Sequence, residues 1–322
     1  MSPTPQNGAT ARQHGSAPAR EEFQVPVPGG RLAVSRWPAD DPGAPVVLAL
    51  HGITANGLSW ARVAHHLAGR VTLVAPDLRG RGRSGGVPGP YGIAAHADDM
   101  AAVVDALGVG RVVLTGHSMG AFTAALTAVR HPHLVRALLL VDGGVGFPVP
   151  AGLDPDELIT AVLGPAMRRL SMTFPDREAY RTFWKSHPAF TACWSPWVDD
   201  YIQRDLVGEE PELRSSCDLE AVRTDGVDQL GAQVSGAVHR LPVPAVLLWA
   251  PRGLMDEPQG LYDEQRLAAA GLDPAMVRTR SVPDTNHYSV IIGDEGARTV
   301  AQHLLAAADV DEPGEPTDTA PR

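Results

Sequence analysis

The sequence predicts an α/β protein, a mostly parallel sheet sandwiched between helices. Three observations predict it. Short apolar runs of strand length recur along the chain with little polar alternation, as strands covered on both faces do. Helix-like segments separate most of these runs. One Gly-x-Ser-x-Gly stretch, GHSMG (116–120), falls between such a run and such a segment.

The elements follow in order. EFQVPV and RLAVSRW flank PGG near the start and predict a hairpin that adds antiparallel strands at one sheet edge. Strands are then expected at VVLAL (46–50), VTLVA (71–75), RVVLT (111–115), RALLLV (136–141), AVLLWA (245–250) and VRTRSV (277–282). The intervening GLSWARVAHHLAG, AAHADDMAAVVDALG and MGAFTAALTAVRH, and the late DEGARTVAQHLLAAA, read as helices. The alternation breaks once, between Val141 and Ala245. Residues 143–240 carry 9 of the 17 aromatic residues, which predicts a helical cap lying over the carboxyl edge of the sheet. Some of these aromatics are expected to pack the cap itself. Trp184, Trp194, Trp197 and Phe147 are expected to line a pocket. The core is then 21–142 with 241–308. Residues 1–20, rich in Pro, Ala, Ser and Gly, read as a disordered leader, and 309–322 as a flexible acidic tail.

Composition narrows the function classes. A net charge of −10 argues against nucleic-acid partners and anionic membrane surfaces. No apolar run reaches the roughly 18 residues a spanning helix needs, and the leader lacks the apolar segment of a secretory signal. A cytoplasmic location is therefore expected. Cys193 and Cys217, the two cysteines, read as reduced thiols. The twelve histidines show no metal-ligand spacing, so neither metal nor cofactor is expected. GRGRSG (80–85) satisfies the dinucleotide fingerprint, but GVPGP follows it where that motif requires a helix.

GHSMG carries the chemistry. A sharp strand-to-helix turn forces its central residue into a strained conformation and leaves no room for side chains on either side, which suits Gly116 and Gly120. Ser118 is then held out of the turn, at a helix N-terminus that favours developing negative charge. An activated serine needs a base, an acid to orient the base, and donors for the oxyanion. His287, in VPDTNHYSV, is the histidine expected at a late carboxyl strand end. His117 should point away from its neighbour Ser118.

LHGIT (50–54), PDLRGRGRS (76–84), GHSMG and the late NHY resemble, in order, the motifs of the α/β-hydrolase-fold family. The resemblance covers residues 22–308. It implies a serine hydrolase mechanism in which the N–H groups of Ile53 and Met119 bind the oxyanion. Relatives that use an aspartate nucleophile are disfavoured, because Ser118 holds that place. The family's usual acid follows the penultimate strand, which here points to Asp256, six residues after Ala250, with Glu257 beside it. Some members place the acid one strand earlier, at the position of Asp142. The implied substrate is an apolar small-molecule ester, lactone or thioester. A C–C bond hydrolase, a cofactor-free perhydrolase and a ligand-binding relative without turnover are the alternatives.

Overall fold

A computed structural model describes residues 19–146 and 167–309. Eight strands form one sheet: β1 (Glu21–Val27), β2 (Gly30–Trp37), β3 (Val46–Leu50), β4 (Thr72–Pro76), β5 (Val112–His117), β6 (Val135–Val141), β10 (Ala245–Trp249) and β11 (Val277–Ser281). Their order across the sheet is β1-β2-β4-β3-β5-β6-β10-β11. The β1–β2 hairpin is antiparallel and joins β4 antiparallel, and every other pairing is parallel.

The apolar runs behave as doubly covered strands should. Leu48 and Leu50 of β3 enter one core and Val47 and Ala49 the other. Leu138 and Leu140 of β6 likewise alternate with Leu139 and Val141. The helices α2 (Ile93–Leu107) and α3 (Met119–Arg130) cover the first face, and α1 (Ala61–Leu67) and α10 (Asp294–Ala307) the second. β11 is one edge, and four of its five residues are exposed, which fits the polar run RTRS after Val277.

The chain between β6 and β10 is inserted at the carboxyl edge. It holds α4 (Arg177–Lys185), α5 (Pro196–Arg204), α6 (Leu219–Leu230) and α7 (Ala232–Ser235). It also holds a three-stranded sheet, β7 (Thr173–Phe174), β9 (Leu213–Ser215) and β8 (Leu206–Val207), so the insertion is more than helices. Buried charges tie it down. Arg204 donates to Asp77 at 2.8 Å and to Glu22 at 2.6 Å. Asp225 of α6 receives Arg81, His96 and the Gly92 N–H. Arg169 pairs with Asp205 and reaches the Thr54 carbonyl.

Two of the three arginines of PDLRGRGRS are buried in ion pairs, and Arg83 is exposed. Arg79 grips Asp99 with two 2.7 Å bonds, and Arg81 joins Asp225. A short 3-10 turn, Gly82–Ser84, follows where a dinucleotide site would need a helix. Cys193 and Cys217 are free, and burial pushes their thiols up to about 11 and about 12. No helix among the described residues is long and apolar enough to cross a membrane.

Candidate active site

Ser118 ends β5 and starts α3 with φ 56° and ψ −121°, the strained corner that GHSMG predicts. Both flanking glycines are required by close approach. A Cβ on Gly116 would lie 2.0 Å from the Gly120 carbonyl oxygen, and one on Gly120 would lie 2.2 Å from that of Leu50. Gly143 does the same from the far side, where a Cβ would meet the Ser118 carbonyl oxygen at 2.2 Å. No local motif singles out Gly143 in the sequence.

Among the described residues His287 has one carboxylate partner. His287, buried on the loop after β11, places Nδ1 2.7 Å from Asp142 Oδ2. Asp142 directly follows β6, is fully buried, and has φ 44°. Its other oxygen accepts the Ala250 N–H at 3.0 Å, which fixes the carboxylate plane. With Nδ1 committed to Asp142, Nε2 is the nitrogen left to take a proton.

The expectation of Asp256 is corrected here. Its Oδ1 accepts from Asn286 Nδ2 at 2.9 Å and lies 3.1 Å from Arg252 Nε, and it makes no contact with His287. The loop after β10 is too long to bring it there. It turns back on itself through Gly253 N–H to Glu257 carbonyl and Asp256 N–H to Gly253 carbonyl bonds. Glu257, exposed, accepts the Met255 N–H at 2.7 Å within the same loop.

Ile53 lines the cavity that Ser118 opens into, and Met119 follows Ser118. Met119 is the first residue of α3, whose initial N–H groups have no intrahelical acceptor. Among the described residues neither the Ile53 nor the Met119 N–H has a hydrogen-bond acceptor. The Ile53 loop is pinned on both sides of that N–H. Arg81 Nε donates to the Ile53 carbonyl at 3.0 Å. His51 Nδ1 donates to the Gly52 carbonyl at 2.8 Å, and its Nε2 accepts the Leu78 N–H at 2.9 Å.

These residues share a cavity of about 960 Å³, within the size of a small-molecule site. Ser118, His287, Asp142 and Ile53 line it, and Phe122, Val145, Tyr201, Leu261, Tyr262 and Ile291 make much of its wall apolar. The expected tryptophans do not line it. Trp184 is buried against Phe190 (ring centroids 4.6 Å apart) and under Arg169. Trp197 packs beneath Arg62 at 4.4 Å, and Trp194 beneath Lys185 at 5.3 Å. Trp184 and Trp194 are taken up by the insertion's own packing, and Trp197 by its contact with α1. Phe147 lies outside the described residues.

Burial holds the His51 imidazole down to about 3. An unfolded histidine takes a proton below about pH 6.5, whereas the folded His51 does not until about pH 3, so protons favour the unfolded chain across that window. Stability therefore falls on acidification, by about 2 kcal/mol at pH 5 from His51 alone. Urea midpoints at pH 7 and pH 5 check this, and equal midpoints contradict it.

A family model described as alpha/beta hydrolase fold matches residues 45–294. The chain belongs to that family. Its sequence is 41% identical over 132 residues to the lipase LipV of Mycobacterium tuberculosis, a match covering 41% of this chain and 48% of the lipase. The chain thus spans about half or less of the curated relatives it matches. Two solved structures share the fold over nearly their full length. The thioesterase domain from the curacin biosynthetic pathway has a TM-score of 0.70 at 22% identity, covering 89% of this chain and 99% of that one. E-2-(acetamidomethylene)succinate hydrolase has 0.71 at 20%, covering 91% and 100%.

Proposed function

We propose that this α/β-hydrolase-fold protein is a serine hydrolase of apolar acyl compounds, with the inserted chain acting as a cap. The observation that carries this reading is the meeting, in one largely apolar cavity, of a strained Ser118 and a His287–Asp142 pair at 2.7 Å. Ser118 attacks the acyl carbon while His287 Nε2 takes its proton. Asp142 holds the imidazole in the tautomer that can accept that proton and stabilises the imidazolium. The N–H groups of Ile53 and Met119 receive the oxyanion, an interaction whose loss typically costs about 10²–10³ in rate. His287 then returns the proton to the leaving group, and water, activated by the same histidine, releases the acid. The relatives named lipase and hydrolase support a hydrolytic reaction, and the apolar cavity is the reason to propose an ester, lactone or thioester within it.

The test has two arms. Ser118→Ala abolishes labelling by a fluorophosphonate probe, and undiminished labelling would sink the assignment. Among nitrophenyl esters, kcat/KM rises about fourfold for each added acyl methylene while the cavity has room, because each buried CH₂ is worth about 0.8 kcal/mol. A flat series from acetate to octanoate would show that the apolar wall does not hold the acyl chain.

A further inference from the structure

His117, the residue before the nucleophile, does more than turn away from it. Its ring lies against that of His287, with centroids 4.7 Å apart, and its Nε2 is 2.7 Å from the His287 carbonyl oxygen. A carbonyl only accepts, so Nε2 carries the proton and Nδ1 holds a lone pair. Nδ1 is buried with no hydrogen-bond partner among the described residues. It faces Gly52, where a Cβ would stand 3.4 Å away.

The bonds around this histidine close a circuit. Ser118 follows His117 in the chain, and its N–H donates to the Val141 carbonyl at 2.9 Å. Asp142 follows Val141 and binds His287. The His287 carbonyl returns to His117. Ser118, His287 and Asp142 all sit on this ring, and the His117 bond ties the His287 loop directly back to β5. We propose that His117 is a positioning residue that closes this ring and so holds the His287 imidazole within reach of Ser118. The proposal rests on the reading of Ser118 and His287 as nucleophile and base.

A cationic His117 would keep the Nε2–H bond but bury an Nδ1–H with no acceptor among the described residues. A charge on His117 would face the His287 ring as it becomes imidazolium during acylation. Burial, with His287 and His51 as the facing titratable groups, holds His117 well below the usual histidine range, against the raising effect of its bond to the His287 carbonyl.

Two substitutions and one spectrum test it. His117→Phe keeps the ring but removes the donor, and His117→Gln places an amide N–H near the Nε2 position. Small misplacements of reacting groups can cost about 10²-fold. His117→Phe is expected to lower kcat by about 10- to 100-fold with KM within about threefold, and His117→Gln to recover most of the loss. A Phe variant within threefold of wild type in kcat, or a Gln variant as slow as Phe, overturns the proposal. Where the Phe variant does not fold, ¹⁵N spectra of the wild-type histidines decide. They are expected to show His117 neutral and Nε2-protonated at pH 5, and a cationic or Nδ1-protonated ring overturns the proposal. The spectrum needs no turnover, whereas labelling that survives Ser118→Ala overturns the hydrolase reading instead.

Discussion

Asp142→Asn lowers kcat by about four orders of magnitude with the fold intact, and Asp256→Asn costs less than about tenfold. The first figure follows from what the orienting acid does. An asparagine would present its amide N–H to Nδ1 of His287 and drive the ring to the Nε2-protonated tautomer. That tautomer cannot take the proton of Ser118, and the equivalent loss in the best-studied triad is about 10⁴. Asp142 is the carboxylate at 2.7 Å from Nδ1, and its second oxygen is held by Ala250. Asp256 touches the catalytic loop only through Asn286, whose Oδ1 caps the Tyr288 and Ser289 N–H groups. Its loss loosens that turn without changing a tautomer. Steady-state rates for both variants, with circular dichroism to confirm folding, check the ranking, and the reverse order would move the acid to Asp256.

The second large effect is on stability. Asp225→Ala destabilises the protein by about 3–5 kcal/mol, because it strands a fully buried guanidinium. Arg81, His96 and the Gly92 N–H all converge on this carboxylate from the core side. Burial alone would raise its carboxyl, but the facing His96 and Arg81 outweigh that and hold it below the usual range. The same substitution also frees the arginine that pins the Ile53 carbonyl, so activity should fall along with the urea midpoint. A midpoint shift below about 1 kcal/mol would mean that water or another group replaces the carboxylate, and that the insertion is held by its apolar contacts.

The sheet and its flanking helices were legible because their signals are local. VVLAL, RVVLT and RALLLV are apolar on both faces, and the helices agree with the helical segments to within a residue or two, except that GLSW (57–60) forms a 3-10 turn ahead of α1. The elbow was legible too, since Gly116 and Gly120 stand where a Cβ would strike backbone. The acid was not. Asp142 and Asp256 both follow strands, and which one reaches His287 depends on how far two loops fold back, a distance that no local pattern records. The pocket wall was misread for a related reason. Composition shows that Trp184, Trp194 and Trp197 must be covered, but not by what. The structure covers them with Arg169, Lys185 and Arg62 on the insertion and α1. The lining instead comes from residues with ordinary-looking sequence, such as Leu261 and Ile291.

The proposed acid, placed directly after β6, has a consequence for anyone wishing to retune this protein. In a chain whose acid sits after β10, the loop that follows that strand is untouchable, because any change of length there moves a triad member. Here that loop carries Leu254 and Leu261 on the cavity wall and no partner of His287. It is therefore the place for a mutagenesis library: side chains at 254 and 261 can be exchanged to reshape the acyl-binding wall while Ser118, His287 and Asp142 stay on the rigid edge of the sheet.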